Sequence, residues 1–264
     1  MPEDELPPSL IKNLQTRIRR NDLQAESDAI LSLAQPCYLI TRGRGSRIKL
    51  GASHFGGLPH LTPGTDWPLD GGELMTFVAQ INLSDLGADS LGLPDSGWLL
   101  FFVGGTEATG SEHAVLYVEA DAPLREIHPP EGVAFRNDIY PIGGAIDGVF
   151  PPCLIKFSLG ASLAPFNMNA HEDDTLIRGY IDLHCDVGSG SSRLRGHPSC
   201  NGDVIDTQRY HKHMDWTLLL QIDSFDPIEE MCWWDNGKLS FLIRRSDLKK
   251  RRFSKTIAYL AASG

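Results

Sequence analysis

FVAQINLS, residues 77–84, and LLLQIDSF, residues 218–225, each set a glutamine into an apolar run and continue with Ile-Asx. The segments downstream are also alike. LPDSGWLLFFV comes after the first and WWDNGKLSFLI after the second, so Asp95, Gly97, Leu99 and Phe101 align with Asp235, Gly237, Leu239 and Phe241. Each unit reads as a strand, an acidic connection, an Asp-x-Gly turn and a second strand. Several matches in two separated windows imply an internal duplication with approximate two-fold symmetry. Strand alternation places Phe77, Ala79 and Ile81 opposite Val78, Gln80 and Asn82, and Leu218, Leu220 and Ile222 opposite Leu219, Gln221 and Asp223. Each unit thus presents Gln-x-Asx on its less apolar side. A Gln amide has two donors and two acceptors that need partners when buried. Two readings are open: each glutamine pins a neighbouring loop, or Gln80, Asn82, Gln221 and Asp223 form the polar floor of a ligand cleft between the halves.

The rest of the chain frames these units. Leu10, Ile11, Leu14 and Ile18 recur at helical spacing, with Ser9 as the expected N-cap; a second helix is expected from Asp22 to about Ala34, ended by Pro36. Beyond it, short apolar runs (CYLIT, LMTFVAQI, WLLFFV, AVLYVEA, LIKFSL, TLLLQI, LSFLIR) alternate with Gly-, Pro-, Asp- and Ser-rich stretches, the pattern of antiparallel sheet. No long helical segment is expected between consecutive strands. GLPHLTPGTDWPLDGG, residues 57–72, reads as an ordered loop held by Trp67. The predicted fold class is α+β: internally duplicated antiparallel β-sheet units with N-terminal helices packed on the sheet. Residues 1–264 form one domain, with helices in 1–35, a first half in 36–150 and a second in 151–264.

Several segments together resemble the YwqG-like family, bacterial proteins sharing a domain of unknown function. They are SHFGGLPHLTPGTDWP (53–68), FVAQINLSDL (77–86), LPDSGWLLFF (93–102), DWTLLLQIDS (215–224) and WWDNGKLSFLIRRSDLKKRRF (233–253). The resemblance implies an internally duplicated α+β protein and supplies no reaction. Two departures stand out. RGHPSCNGDVID, residues 195–206, keeps Gly196, His197, Pro198 and Asp203 but has Asn201 near the place of a family glutamine, and Trp234 replaces a glycine between Trp233 and Asp235.

The formal charge of −10 argues against nucleic acid or an anionic membrane as the main partner. One run opposes it: RRSDLKKRR, residues 244–252, with six basic residues and one acidic, reads as a solvated helix face or turn. No apolar stretch approaches the roughly 20 residues of a membrane span, and the acidic, Pro-rich start lacks leader character, so a cytoplasmic setting is expected. Five cysteines without a CxxC read as reduced thiols.

Candidate chemistry is sparse. His184, Cys185, His197, Cys200, His211 and His213 are the densest set of zinc-type ligands, but their spacing is irregular and no CxxC or HExxH accompanies them. RGRGSRIK, residues 42–49, opens no helix and reads as a basic turn. Glu172, Asp173 and Asp174 read as a solvated loop. No GxSxG elbow occurs. Trp233-Trp234 would expose at least one ring if extended, which makes Trp234, with Trp67, a candidate ligand contact. The leading expectation is a non-enzymatic module binding a peptide or protein between its halves, without cofactor. The alternatives are a zinc hydrolase using the 184–213 segment and a scaffold subunit.

Overall fold

Apolar strands fix the architecture in a computed structural model that describes residues 5–45, 47–87, 90–107, 110–136, 148–164, 173–188, 191–198, 215–233 and 236–261. The chain runs through helices α1 (Pro8–Arg20) and α2 (Ser27–Leu33) into strand β1 (Gln35–Arg42). Next are β2 (His54–Phe55), β3 (His60–Leu61), β4 (Leu69–Asp70), β5 (Glu73–Leu74), β6 (Thr76–Asn82), β7 (Trp98–Glu107), β8 (Gly110–Val118) and β9 (Arg125–Glu126). After β10 (Cys153–Ser162) come α3 (Asp174–Asp186), β11 (Arg193–Leu194), β12 (Trp216–Asp223), β13 (Lys238–Arg244), α4 (Arg245–Lys249) and β14 (Ile257–Ala261).

Ten strands form one antiparallel sheet in the order β14-β13-β12-β11-β1-β10-β2-β6-β7-β8, with the small pairs β3-β9 and β4-β5 beside it. The two ends of this order meet. His113 Nε2 lies 3.1 Å from Thr256 O and 3.0 Å from its hydroxyl, joining β8 to the entry of β14. No backbone ladder links the two strands among the described residues, so the sheet is nearly a barrel with an open seam.

The order is matched about its centre, between β1 and β10. On one side Gln80 of β6 faces His54 of β2 and Leu100 of β7; on the other Gln221 of β12 faces Arg193 of β11 and Ser240 of β13. Asn82 faces Trp98 as Asp223 faces Lys238. The hydroxyl of Ser53 accepts the Asn82 N–H at 2.8 Å, and that of Ser192 accepts the Asp223 N–H at 3.0 Å. Gly56 and Gly57 take positive φ (59° and 68°), and so do Arg195 and Gly196 (63° and 77°). At Gly56 the requirement is spatial too, since a Cβ there would lie 2.3 Å from Pro151 O. Arg195 uses its place differently: fully buried, it donates from Nε to Leu91 O (2.7 Å) and from Nη1 to the Thr217 hydroxyl (2.7 Å), tying the two sides together.

β6 and β12 also share a β-bulge, at Val78 between Phe77 and Ala79 and at Leu219 between Leu218 and Leu220. The extra residue resets the alternation. Val78, Ala79 and Ile81 join Leu219, Leu220 and Ile222 in the main core, while Phe77 turns to the opposite face. The simple alternation expected for these strands is corrected accordingly. Inside the nearly closed sheet the matched residues Phe101 and Phe241 meet edge to face, with centroids 5.0 Å apart. Burying rings of this size contributes about 1.5–3 kcal/mol each.

A second cluster, with Trp67, Leu74, Phe77, Phe102 and Val118, covers the outer face of β6 and β7. The helices build a third, in which Leu14, Ile18, Ile30, Tyr180 and Leu183 pack with Leu163. α1 begins at Pro8 behind Pro7, with no side-chain cap, so Ser9 lies inside the helix; a 3-10 turn, Gln24–Glu26, precedes a shorter α2 than predicted. Helix α3 was not expected. Asp173, read as part of a solvated loop, caps it by accepting from Thr175 N (2.9 Å) and Leu176 N (3.3 Å). Gly179 lets α3 approach α1, for a Cβ there would stand 2.7 Å from Asn21 O.

Candidate functional site

Gln80 is fully buried and its amide faces the 51–60 loop. Its Oε1 accepts the His60 N–H at 2.9 Å; its Nε2 donates to Ala52 O at 2.9 Å and reaches His60 Nδ1 at 2.9 Å. Asn82 Nδ2 and Trp98 Nε1 both donate to Gly51 O, at 3.0 and 2.8 Å. Because Gly51 N also donates to His60 Nδ1 at 3.1 Å, that nitrogen is an acceptor and the ring proton sits on Nε2. His54 has the opposite tautomer: its Nδ1 must donate to Gly56 O at 2.8 Å, leaving a buried Nε2 lone pair without a hydrogen-bond partner. Burial pushes the pKa of His54 down to about 4 and lowers that of His60. Gln80 and Asn82 pin the loop.

The matched corner holds charge. Asp223 Oδ2 and Lys238 Nζ pair at 2.5 Å, both residues buried. Asp226 accepts the Ser192 N–H at 3.1 Å. Burial raises both carboxyl pKa values; Lys238 opposes the rise at each. Gln221 is fully buried beside Arg193. Gln80 faces the 51–60 loop on the outer side of the sheet, and apolar side chains fill the space between the two sides. Trp67 likewise lies in the core, donating to Met75 O at 2.7 Å and packing on Phe102 and Phe135. Trp233 is buried against Phe150, and Trp234 lies outside the described residues.

Of the zinc-type candidates, His184 and His197 come near each other and near Arg193. Desolvation first, then the Arg193 charge, lowers the His184 pKa to about 4. Burial likewise raises Cys37 to about 11, with Arg193 opposing. A fixed guanidinium works against a divalent cation at the same place. The ring of His197 is engaged elsewhere, its Nε2 2.7 Å from Leu33 O. Cys185 is exposed, and Cys200, His211 and His213 lie outside the described residues. Among the described residues no group of three or more His, Cys, Asp or Glu side chains could hold a metal.

Open space is present at the seam. A groove of about 450 Å³ runs between Val115–Glu119 of β8 and its continuation on one wall and Arg251–Ser254 on the other, with Leu61, Thr62 and Thr65 also lining it. Consecutive β8 residues line it, so the edge of the strand opens onto the groove as well as one face. Tyr117 stands at the centre, 5.5 Å from the Phe253 ring and 5.9 Å from the Arg251 guanidinium carbon. Its hydroxyl donates to Ser96 O or Glu119 Oε2, each 3.1 Å away. Sequence reasoning missed this site. The one signal was the basic RRSDLKKRR run in an acidic chain, which supplies the second wall.

A nearly closed antiparallel barrel with flanking helices and one open seam defines an α+β domain. Residues 53–261 match the model of a domain of unknown function, DUF1963, and the chain belongs to that family. No curated protein matches it. Among the described residues no helix is long and apolar enough to cross a membrane.

Proposed function

We propose that the chain is an internally duplicated, YwqG-like member of its family and a non-enzymatic module that binds an extended peptide of a partner protein. On this reading residues 1–264 are one domain, with helices in 1–35 and halves in 36–150 and 151–264. The matched registers, shared bulges and paired positive-φ turns support the duplication. The free thiols of Cys37, Cys153 and Cys185 support a cytoplasmic setting.

The observation that carries the binding reading is that the edge of β8 away from β7, which pairs with no strand among the described residues, borders a groove between the halves. An edge strand offers a row of backbone donors and acceptors, and a peptide adding to it gains main-chain hydrogen bonds while its side chains enter the groove. The volume lies within the range of ordinary ligand sites. Amide hydrogen exchange tests this. Peptides selected from a random library on the folded protein should slow exchange of groove-facing amides within 115–118, leaving those of α2 unchanged. Ligands that protect the 51–60 loop or the helices, and not β8, would refute it.

A further inference from the structure

The second wall of the groove decides what sort of peptide fits. Leu248 and Phe253 are buried, 1% and 2% exposed, and anchor the segment between them. Arg251 takes a positive φ of 54°; its N–H bonds Leu248 O at 2.9 Å, and the Arg252 N–H bonds Asp247 O at 2.9 Å. These ties hold the turn while Lys249, Lys250, Arg251 and Arg252 stay exposed, with Lys255 beside them. The segment's one acidic side chain, Asp247, lies 3.7 Å from Arg252. Across the groove stands Glu119. Arg251 and Arg252 outnumber Glu119 among the lining residues, and Lys249, Lys250 and Lys255 add exposed positive charge in the same segment of a chain whose total is −10.

Building on the peptide reading, we propose that this groove selects an acidic extended peptide, its main chain pairing with β8 and its carboxylates held by Arg251 and Arg252. The Arg251 guanidinium already stands over the Tyr117 face, where one of its edges can take a carboxylate while its plane keeps the ring contact. Screening favours a short ligand. At physiological ionic strength the field decays over about 8 Å, so carboxylates in the groove respond to the local cations. A nucleic acid would run on past the groove over a surface that repels it.

The probes are fluorescent peptides of alternating Glu and Val, alternating Lys and Val, the Glu–Val peptide N-methylated along one edge or the other, and oligo-dT of similar length. Fluorescence anisotropy should show Glu–Val binding that weakens about tenfold or more between roughly 0.05 and 0.3 M salt. One N-methylated edge should abolish it. The double variant Arg251→Glu/Arg252→Glu should lose at least about tenfold for Glu–Val and gain for Lys–Val, a reversal that an unfolded protein cannot produce. Equal binding of Glu–Val and Lys–Val, with N-methylation still blocking both, would overturn the acidic preference and leave the peptide reading standing. Failure of every peptide to bind, or no effect of methylating either edge, would overturn both. Oligo-dT binding ahead of Glu–Val would overturn this inference in favour of a nucleic-acid surface.

Discussion

The Gln80 and Gln221 corners share a backbone plan and differ in the chemistry set upon it. Both glutamines sit two residues beyond a bulge, and both have a serine hydroxyl accepting the N–H of the Asx two residues on. Yet the rungs of the first corner hold neutral side chains, His54, Asn82 and Trp98, with a carboxylate only at the exposed rim, where Asp85 accepts the Ser53 hydroxyl, whereas the second has Arg193, Asp223 and Lys238 on its rungs. Register is held by main-chain bonds and by the core face, so the opposite face can change its solution. Neutral groups need only hydrogen-bond partners when buried; charges need opposite charges as well.

The largest expected difference is at the ion pair. Lys238→Met strands the Asp223 carboxylate and should cost roughly 3–5 kcal/mol in urea denaturation, whereas adding Asp223→Asn should restore at least about half of it. A double variant no more stable than the single one would show that the two charges are not coupled.

Acid should separate the corners next. In the fold, burial keeps His54 neutral down to about 4 against an ordinary 6.5. The unfolded chain therefore takes up its proton first as pH falls. Stability is full above about 6.5 and is lost between there and about 4, by roughly 3 kcal/mol in all. Arg193 holds the equivalent place and stays charged, so on that side the same loss falls to His184, also lowered to about 4. Asp223 and Asp226 act oppositely. Their pKa values are raised from 3.8, so their stabilising contribution is present at low pH and lost as pH rises through the raised values. Denaturation midpoints across this range for the parent and His54→Gln should differ in slope; parallel curves would exclude His54 as the titrating group.

Gln80→Leu comes third. It strips Ala52 O and the His60 N–H of their partner and should cost about 1–3 kcal/mol for each group left unsatisfied. Calorimetry should register the loss while seam binding is unchanged. A drop in binding with no drop in melting temperature would return Gln80 to the site. The smallest effect concerns the shared core, where a double-mutant cycle of Phe101→Leu and Phe241→Leu should couple by about 0.5–1.5 kcal/mol.

Much of the sheet is legible in the sequence because the repeated Gln-Ile-Asx and Asp-x-Gly segments lie in the strands whose pairing defines it. Leu99 and Leu239 indeed occupy matched rungs, as do Phe101 and Phe241. Period-two alternation fails at Val78 and Leu219, since a bulge comes from pairing between strands and leaves no mark in either alone. Helix α3 is legible in part: Asp173 precedes Leu176, Ile177, Tyr180 and Leu183 at helical spacing, but its acidic start also fits a solvated loop. The Asp223–Lys238 pair could not be foreseen, because its counterpart is Asn82–Trp98 and no repeat suggested it. The groove is hidden for another reason. It joins residues 115–119 to residues 251–254 across the closure of the barrel, which neither local stretch encodes.

Strand β1 lies between β10 and β11, and β10 lies between β1 and β2. Each opening strand is therefore enclosed by partners from the far portion of the polypeptide, like clasped fingers. Severing the connection between β8 and β10 would leave two pieces still knitted through the β1–β10, β1–β11 and β2–β10 ladders, and neither piece has by itself the neighbours its first strand requires.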